Sequence, residues 1–194
     1  MPYSEHPEHI AYQNSLREIF KRIEPRPKNI IEFGTGEEGL SSTIFLEDKE
    51  VVRVVSIDIE DYSKLINDDR WLFIQQDTKK IVLPTNNLQK ESFDLVYIDA
   101  SHELAQTIYE LRMADFLLSN NGLILLDDLI PSSPDSRQTA SGGSAVPVEV
   151  FEAVIFFLRG SVANGNNYWF AFDPRNHGWG FLKKAPLLDL QTWS

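Results

Sequence analysis

Residues 29 to 40 read "NIIEFGTGEEGL" and set the architecture that the rest of the chain follows. An apolar run typical of a buried strand leads into Gly34, Gly36 and Gly39, which have G-x-G-x-x-G spacing. Glycines permit a tight turn from a strand into a helix, and they let a ligand lie close to the backbone. The stretch predicts a strand, a ligand-binding turn and a helix, with a tight turn that binds nothing as the alternative.

The same kind of apolar run recurs four times farther along the chain. The runs are "VVRVVSID", "LFIQQD", "FDLVYID" and "GLILLDD", and each ends at or near an acidic residue. Because they are continuous rather than alternating, they indicate strands covered on both faces. Helical spacing follows several of them, at Leu40 and Ile44, at Leu104, Ile108, Leu111 and Leu118, and at Phe151, Val154, Ile155 and Leu158. Repeated strand and helix pairs predict an α/β fold with a doubly wound, mostly parallel sheet.

Both ends of the chain add to this core. Residues of about 8 to 24 predict an amphipathic helix that ends at the prolines of "EPRPKN", and "YWFAFDPRNHGWGFLKK" predicts a hairpin with an antiparallel strand. The Ser-, Gly- and Pro-rich stretch 131–147 predicts either a lid or a plain mobile loop. We therefore expect one domain over 1–194, with an N-terminal helix in 1–27, a core in 28–130, that loop, and a C-terminal helix and hairpin in 148–194.

Composition and charge narrow the range of partners. The 194 residues include 18 Lys and Arg against 29 Asp and Glu, and the net charge of -11 would repel a phosphate backbone. We therefore expect no nucleic-acid partner. The chain has no cysteine and no apolar run long enough to span a membrane, so we expect a cytoplasmic protein without a membrane partner. The sequence leaves the oligomeric state open, a homo-oligomer included.

Asp58 ends the second predicted strand, 24 residues after Gly34. A carboxylate at that place can accept hydrogen bonds from both hydroxyls of a ribose. Together with the glycine turn, Asp58 predicts a nucleoside-bearing cofactor. Nicotinamide-dependent oxidoreductases use the same kind of turn, but the sequence contains no Tyr-x-x-x-Lys pair for hydride chemistry.

Two further acids indicate which cofactor is bound. Glu32 stands two residues before the first glycine, and Asp77 ends the third predicted strand. With the glycine turn and the hairpin, this arrangement resembles class I S-adenosylmethionine-dependent methyltransferases over roughly residues 28 to 184. The resemblance implies a Rossmann-like sheet of seven strands, with an antiparallel C-terminal strand and helices on both faces.

The same resemblance implies the cofactor contacts. Glu32 and the turn formed by Gly34, Thr35 and Gly36 would hold the methionine part of S-adenosyl-L-methionine. Asp58 would hold the ribose, Asp77 the adenine edge, and Asp99 would also border the cofactor. A capping role for Glu32 and an ordinary turn role for Asp77 are the alternatives.

The fourth and fifth predicted strands end in acids that we expect to meet. "YIDASHELAQ" puts Asp99 at the end of the fourth strand and His102 at the start of the next helix, and "LILLDDL" carries Asp127 and Asp128. Ligands bind at the carboxyl edge of such a sheet. Three carboxylates there would repel one another unless protons or a cation neutralised them, and oxygen ligands suit Mg²⁺ or Mn²⁺.

This segment resembles the small O-methyltransferases, both the catechol type and the bacterial methyltransferase group numbered family 24. The catechol type implies a divalent metal on Asp99, Asp127 and Asp128. Its lysine base is replaced here by His102, a residue common at this place in the bacterial group, so the resemblance does not extend to a catechol substrate. Solvated or capping acids without a metal, and a helix-start role for His102, are the alternatives.

The expected function is the transfer of a methyl group from S-adenosyl-L-methionine to a hydroxyl of a small molecule, with or without Mg²⁺ or Mn²⁺. His102 and Asp99 are the candidate catalytic residues, and His102 would take the proton of the acceptor. An NAD(P)-dependent oxidoreductase and a non-catalytic nucleotide-binding or scaffold protein of the same fold are the alternatives.

Overall fold

The computed structural model describes residues 7–129, 149–163, 167–175 and 178–185, so the predicted loop at 131–147 lies outside the described residues. The described chain forms four α-helices and seven strands. In chain order these are α1 (Pro7–Arg22), β1 (Asn29–Phe33), α2 (Leu40–Leu46), β2 (Arg53–Asp58), β3 (Trp71–Gln75), β4 (Phe93–Ile98), α3 (Leu104–Leu117), β5 (Leu118–Leu126), α4 (Glu149–Ala163), β6 (Asn167–Asp173) and β7 (Trp179–Ala185). None of these four helices is long and apolar enough to cross a membrane.

The seven strands form one sheet in the order β3-β2-β1-β4-β5-β7-β6. Strands β1 to β5 run parallel to one another, whereas β7 runs antiparallel to both β5 and β6. This confirms the predicted seven-stranded, mostly parallel sheet with an antiparallel C-terminal strand. Because β1, β2, β4 and β5 run in the same direction, the residues that follow them lie at one edge of the sheet.

Apolar side chains cover both faces of the sheet. On one face, α3 and α4 pack against β-strand residues that include Ile31 and Val96. On the other face, α1 and α2 pack against residues that include Ile30 and Leu95. Successive residues of a strand point to opposite faces, so both alternating sets must be apolar. This is why the sequence shows continuous apolar runs.

One helix boundary differs from the sequence prediction. Helical spacing assigns Leu118 to the helix before β5, but Leu118 is the first residue of that strand and pairs with Phe93 of β4. It is fully buried, and its apolar character fits either element. In addition, the connections on either side of β3 contain no α-helix, and the second holds only a 3₁₀ turn at Thr78–Lys80. The start of α3 therefore faces this turn directly.

Candidate active site

The glycine turn joins β1 to α2 and contacts two neighbouring strands. The Gly34 N–H donates to the Ile57 carbonyl at 2.9 Å, and the Asp99 N–H donates to the Phe33 carbonyl at 2.9 Å. Gly34 has a φ of +88°, and a side chain there would collide with the main chain of Asp99. The turn packs so closely against the end of β4 that glycine is required at this position.

Gly36 has a different environment, because nothing lies within 4 Å of the place where its side chain would be. This open space belongs to a cleft of about 440 Å³ along the carboxyl ends of the parallel strands. Cofactor and small-molecule sites typically have volumes of about 300–1,000 Å³. The lining residues are Gly34, Gly36, Ile57, Asp58, Ile59, Gln76, Asp77, Thr78, Lys79, Asp99, Ala100, Ser101, Glu103, Gln106 and Glu110.

Asp58, at the end of β2, shapes the turn as well as the cleft. Its Oδ2 accepts hydrogen bonds from the N–H groups of Thr35 at 2.8 Å and Gly36 at 3.3 Å, and its Oδ1 accepts one from Glu60 N–H at 3.0 Å. A carboxylate offers about four lone-pair sites, so about one is left for a ligand hydroxyl. The contact of Asp58 with the ribose hydroxyls stays a prediction.

Glu32 lies under the glycine turn and does not line the cleft. Its fully buried carboxylate accepts hydrogen bonds from the Ser41 hydroxyl at 2.8 Å and from the Ser42 hydroxyl, which lies 3.0 Å from the hydroxyl of Ser56. Burial raises the pKa of Glu32 to about 7, although the serine hydroxyls act in the opposite direction. Glu32 therefore ties β1 to the first turn of α2, and its contact with the methionine part stays a prediction.

Two acids border the cleft near the 3₁₀ turn. Asp77 accepts a hydrogen bond from the Lys79 N–H at 3.0 Å and so caps the turn, while its contact with adenine stays a prediction. Glu110 of α3 is almost fully buried, and its Oε1 accepts hydrogen bonds from Thr78 at 2.8 Å and Gln106 at 2.7 Å. Burial raises the pKa of Glu110. Sequence reasoning missed Glu110, because an acid on a helix is ordinarily solvated.

A second hollow, of about 570 Å³, lies at the opposite edge of the sheet. Its lining includes Lys28, Leu123 and Asp94, and Asp94 Oδ2 accepts hydrogen bonds from the N–H groups of Lys28 and Asn29 at 2.9 Å and 3.0 Å. Asp94 thereby joins the starts of β1 and β4. None of the predicted site residues lines this hollow, so the cleft at the carboxyl edge is the candidate active site.

Asp99, His102 and Asp128 converge beside the cleft. His102 Nε2 lies 3.3 Å from Asp99 Oδ1 and 3.4 Å from Asp128 Oδ2, and one ligand atom from each residue lies within 4.8 Å of the other two. His102 and Asp128 have φ values of +58° and +57°, which residues other than glycine rarely adopt. Backbone strain of this kind concentrates at functional sites. We call these three residues the acid cluster.

The acid cluster favours a positive charge at its centre. Burial lowers the pKa of His102, but the hydrogen bond to Asp99 and the negative charges of Asp99 and Asp128 outweigh burial and raise that pKa above its usual value. The two carboxylates need a neighbouring cation because they would otherwise repel each other. A proton on His102 or a metal ion can supply that charge.

Asp127 is not one of the three residues whose ligand atoms converge. Its Oδ1 accepts a hydrogen bond from the Asp128 N–H at 2.8 Å, and its Oδ2 lies 3.4 Å from the hydroxyl of Tyr97. Burial, followed by the charges of Asp99 and Asp128, raises the pKa of Asp127 well above its usual value. The structure thus brings Asp99, His102 and Asp128 together, whereas Asp127, which the sequence predicts as a metal ligand, contacts Tyr97 and the Asp128 N–H instead.

Sequence reasoning missed two tyrosines behind the acids. The Tyr97 hydroxyl lies 3.1 Å from Asp99 Oδ2 and 2.8 Å from the hydroxyl of Tyr12. Tyr97 stands two residues before Asp99, and residues i and i+2 of a strand share a face. The stretch "YID" therefore indicates that the side chains of Tyr97 and Asp99 lie close together. Tyr12 belongs to α1, and no local pattern connects it with Asp99.

Residues 31–129 match the model of a family described as a methyltransferase domain, numbered family 24. The match spans 99 of the 194 residues. No curated protein sequence matches the chain at a significant level.

Solved methyltransferase structures share the fold at low sequence identity. A putative caffeoyl-CoA O-methyltransferase from Staphylococcus aureus is 16% identical with a TM-score of 0.62, covering 90% of this chain and 83% of that one. The methyltransferase PaMTH1 of Podospora anserina, bound to S-adenosylhomocysteine, is 17% identical with a TM-score of 0.58, covering 94% and 84%. MycE from mycinamycin biosynthesis, in complex with Mg and S-adenosylhomocysteine, is 18% identical with a TM-score of 0.60, covering 92% and 50%.

At such identities the solved structures show the fold alone, whereas the family model covers half of the chain. The match is to methyltransferases, so neither the oxidoreductase alternative nor the scaffold alternative is favoured. The cleft at the glycine turn lies where this fold binds its nucleoside cofactor. The chain therefore belongs to methyltransferase family 24, within the class I S-adenosylmethionine-dependent methyltransferases.

Proposed function

We propose that the protein transfers a methyl group from S-adenosyl-L-methionine to a hydroxyl of a small molecule, and that a divalent ion assists the transfer. The observation that carries the proposal is the position of Asp99, which borders the cleft and also belongs to the acid cluster. A methyl donor in the cleft and an ion in the acid cluster would therefore be neighbours. The acceptor oxygen would lie between them.

The cleft suits a nucleoside-bearing cofactor on two counts. Gly36 leaves open space against the backbone, and Asp58 retains about one acceptor site. We assign the methionine part to the turn from Gly34 to Gly36, the ribose to Asp58 and the adenine edge to Asp77. Glu32 supports the turn from beneath.

The acid cluster suits a small divalent ion. Mg²⁺ lies about 2.0–2.1 Å from its oxygen ligands, so neighbouring ligands of one octahedral ion are about 3 Å apart. The separations of 3.3 Å and 3.4 Å at His102 Nε2 are close to that value. A mixture of carboxylates and imidazole suits Mn²⁺ as well as Mg²⁺. We assign Asp99, His102 and Asp128 as ligands, and Asp127 as a residue that holds Asp128 in place.

The chain contributes positioning and charge to the reaction. A bound divalent ion supplies a Lewis acid that lowers the pKa of the acceptor hydroxyl. Asp99 and Asp128 hold the site negative, and the strained backbone at His102 and Asp128 fixes the ligand atoms before a substrate arrives. Orienting two bound reactants can lower a barrier by roughly 7–11 kcal/mol, so geometry supplies much of the expected rate.

His102 distinguishes two versions of the mechanism. If His102 is a metal ligand, the ion would occupy its Nε2, and the proton of the acceptor hydroxyl would pass to solvent. In the metal-free version, Nε2 takes that proton while Asp99 and Asp128 stabilise the imidazolium. Turnover that survives chelation would assign His102 the second role, which is the general base that the sequence predicts.

Asp58→Ala is expected to weaken binding of S-adenosylhomocysteine about 10- to 100-fold. The change removes a charged acceptor, and such a hydrogen bond contributes about 1.5–3 kcal/mol. It also frees the N–H groups of Thr35 and Gly36. Isothermal titration calorimetry measures the effect, with exposed Asp69→Ala as the control for loss of one charge. A wild-type protein that binds NAD tightly and S-adenosylhomocysteine not at all would contradict the cofactor assignment.

Asp128→Ala is expected to lower methyl transfer by about 100-fold or more, since loss of a Lewis acid costs several kcal/mol of transition-state stabilisation. EDTA should have the same effect on the wild-type protein, and Mn²⁺ or Mg²⁺ should restore the wild type but not the variant. The measurement is transfer of labelled methyl groups to a panel of phenols, alcohols and amines, with Asp69→Ala again as control. Transfer to amines alone would reject hydroxyl methylation.

A further inference from the structure

The hydroxyl of Tyr97 occupies a central position behind the acids. Tyr97 is fully buried on β4, and its hydroxyl lies 3.1 Å from Asp99 Oδ2 and 3.4 Å from Asp127 Oδ2. Asp99 presents its other oxygen, Oδ1, to His102 at 3.3 Å. One oxygen of Asp99 is therefore held from behind while the other faces the centre of the acid cluster.

Tyr12 adds a second hydroxyl from outside the sheet. Its hydroxyl lies 2.8 Å from that of Tyr97, and its ring stacks on Trp179 of β7 with centroids 5.6 Å apart. Trp179 is itself fully buried, and its Nε1 donates to the Ser15 hydroxyl at 3.1 Å. These contacts fix α1 against the sheet with Tyr12 directed at Tyr97.

The number of hydrogens on the two tyrosine hydroxyls decides the direction of the hydrogen bond between Tyr12 and Tyr97. A tyrosine hydroxyl has one hydrogen to donate and can accept others. A tyrosine hydroxyl has an ordinary pKa of about 10, so both tyrosines keep their hydrogens at neutral pH. If Tyr97 donates to Asp99, its oxygen is free to accept the hydrogen of Tyr12. The result is a chain of donors from α1 to the carboxylate of Asp99.

Asp127 completes the support on the other side. Its Oδ1 accepts the Asp128 N–H at 2.8 Å, at the residue whose φ is +57°. Its Oδ2 lies within 3.4 Å of the Tyr97 hydroxyl. Asp99 and Asp127, which follow two different strands, thus both approach a single buried hydroxyl, and Asp127 in turn accepts the N–H of Asp128.

We propose that Tyr12 and Tyr97 are positioning residues, which hold Asp99 with Oδ1 directed at the bound ion. Tyr12 belongs to α1 and lies outside residues 31–129, so the proposed support of the site comes partly from outside the residues that match the family. The inference rests on the metal site of the proposed function. Groups that orient a metal ligand in this way typically change metal affinity 10- to 100-fold when they are replaced.

The test measures Mn²⁺ affinity by electron paramagnetic resonance, which needs neither substrate nor turnover. Tyr97→Phe is expected to weaken Mn²⁺ binding about 10- to 100-fold, and Tyr12→Phe about 3- to 10-fold because it acts through Tyr97. Tyr109→Phe is the matched control, since that hydroxyl donates to the Ile81 carbonyl at 3.0 Å and not to the acids. It should bind Mn²⁺ like the wild type.

Each outcome has a distinct meaning. Unchanged Mn²⁺ affinity in Tyr97→Phe, with the wild type binding the ion, would overturn the positioning role and leave the metal site intact. Unchanged affinity in Tyr12→Phe alone would overturn the role of α1. A wild-type protein that binds S-adenosylhomocysteine but no Mn²⁺ would overturn both the metal assignment and this inference, and would leave the methyltransferase assignment standing.

Discussion

Replacing Gly34 with alanine is expected to lower the free energy of unfolding by roughly 4 kcal/mol. Two costs add, because the φ of +88° strains any side chain and the new Cβ would lie 2.6 Å from the carbonyl carbon of Asp99. Backbone strain and overpacking each cost about 1–3 kcal/mol. The colliding atoms belong to the main chain, so no side-chain rotation relieves the clash. Urea unfolding monitored by circular dichroism measures the loss.

Gly36→Ala is the matched control for this prediction. Gly36 also has a positive φ, +67°, but nothing lies within 4 Å of its added Cβ. Gly36→Ala should lower the free energy of unfolding only by the cost of the backbone conformation, about 1 kcal/mol. Equal destabilisation by the two variants would show that conformation alone matters, and that the turn does not pack against β4 as the structure has it.

The two glycine variants also separate an effect on folding from an effect on cofactor binding. The new methyl group of Gly36→Ala would occupy the cleft, so this variant should fold and bind S-adenosylhomocysteine weakly. Gly34→Ala should lose binding because the turn itself is displaced. A folded Gly36→Ala protein that binds the ligand like the wild type would remove the glycine turn from the cofactor site.

Much of the sheet could be predicted, because its strands are short apolar runs that end in acids. Parallel neighbours end at the same edge, so the positions of Asp58 at the end of β2 and of Asp99 after β4 could be predicted directly. The helix boundary at Leu118 could not be predicted, since a buried leucine suits the end of α3 and the start of β5 equally well. A local sequence pattern cannot locate the boundary between a helix and a strand that meet without a loop.

The acids of the site show a second limit of prediction from the sequence. Asp127 and Asp128 directly follow β5, and the sequence predicts that both converge with Asp99. The side chain of Asp127 points to Tyr97, and that of Asp128 points to His102. The link to Tyr12 depends on how α1 packs on the sheet, which no spacing along the chain encodes.

Glu32 should make the protein less stable as the pH rises from about 4.5 to about 7. Its pKa is raised from 4.5 to about 7 by burial, so over this range the folded protein keeps a proton that the unfolded chain releases. Stability then falls with pH, because the folded state binds more protons than the unfolded state. The difference of about 2.5 pH units corresponds to about 3 kcal/mol, all of it lost by about pH 7.

Glu32→Gln should remove this part of the pH dependence, because an amide of the same shape does not titrate. The serine hydroxyls that donate to the carboxylate can also accept from the amide, so the buried contacts can be kept. The measurement is urea unfolding at several pH values between 5 and 8. Glu50→Gln, on an exposed side chain, controls for the loss of one negative charge.

The informative quantity is the difference between wild type and Glu32→Gln at each pH, because the buried Asp127 and Glu110 also have raised pKa values and contribute to the slope of both proteins. The difference should favour the variant increasingly as the pH rises to about 7 and then stay constant. A difference that does not change with pH would mean that Glu32 is already ionised under the turn at pH 5.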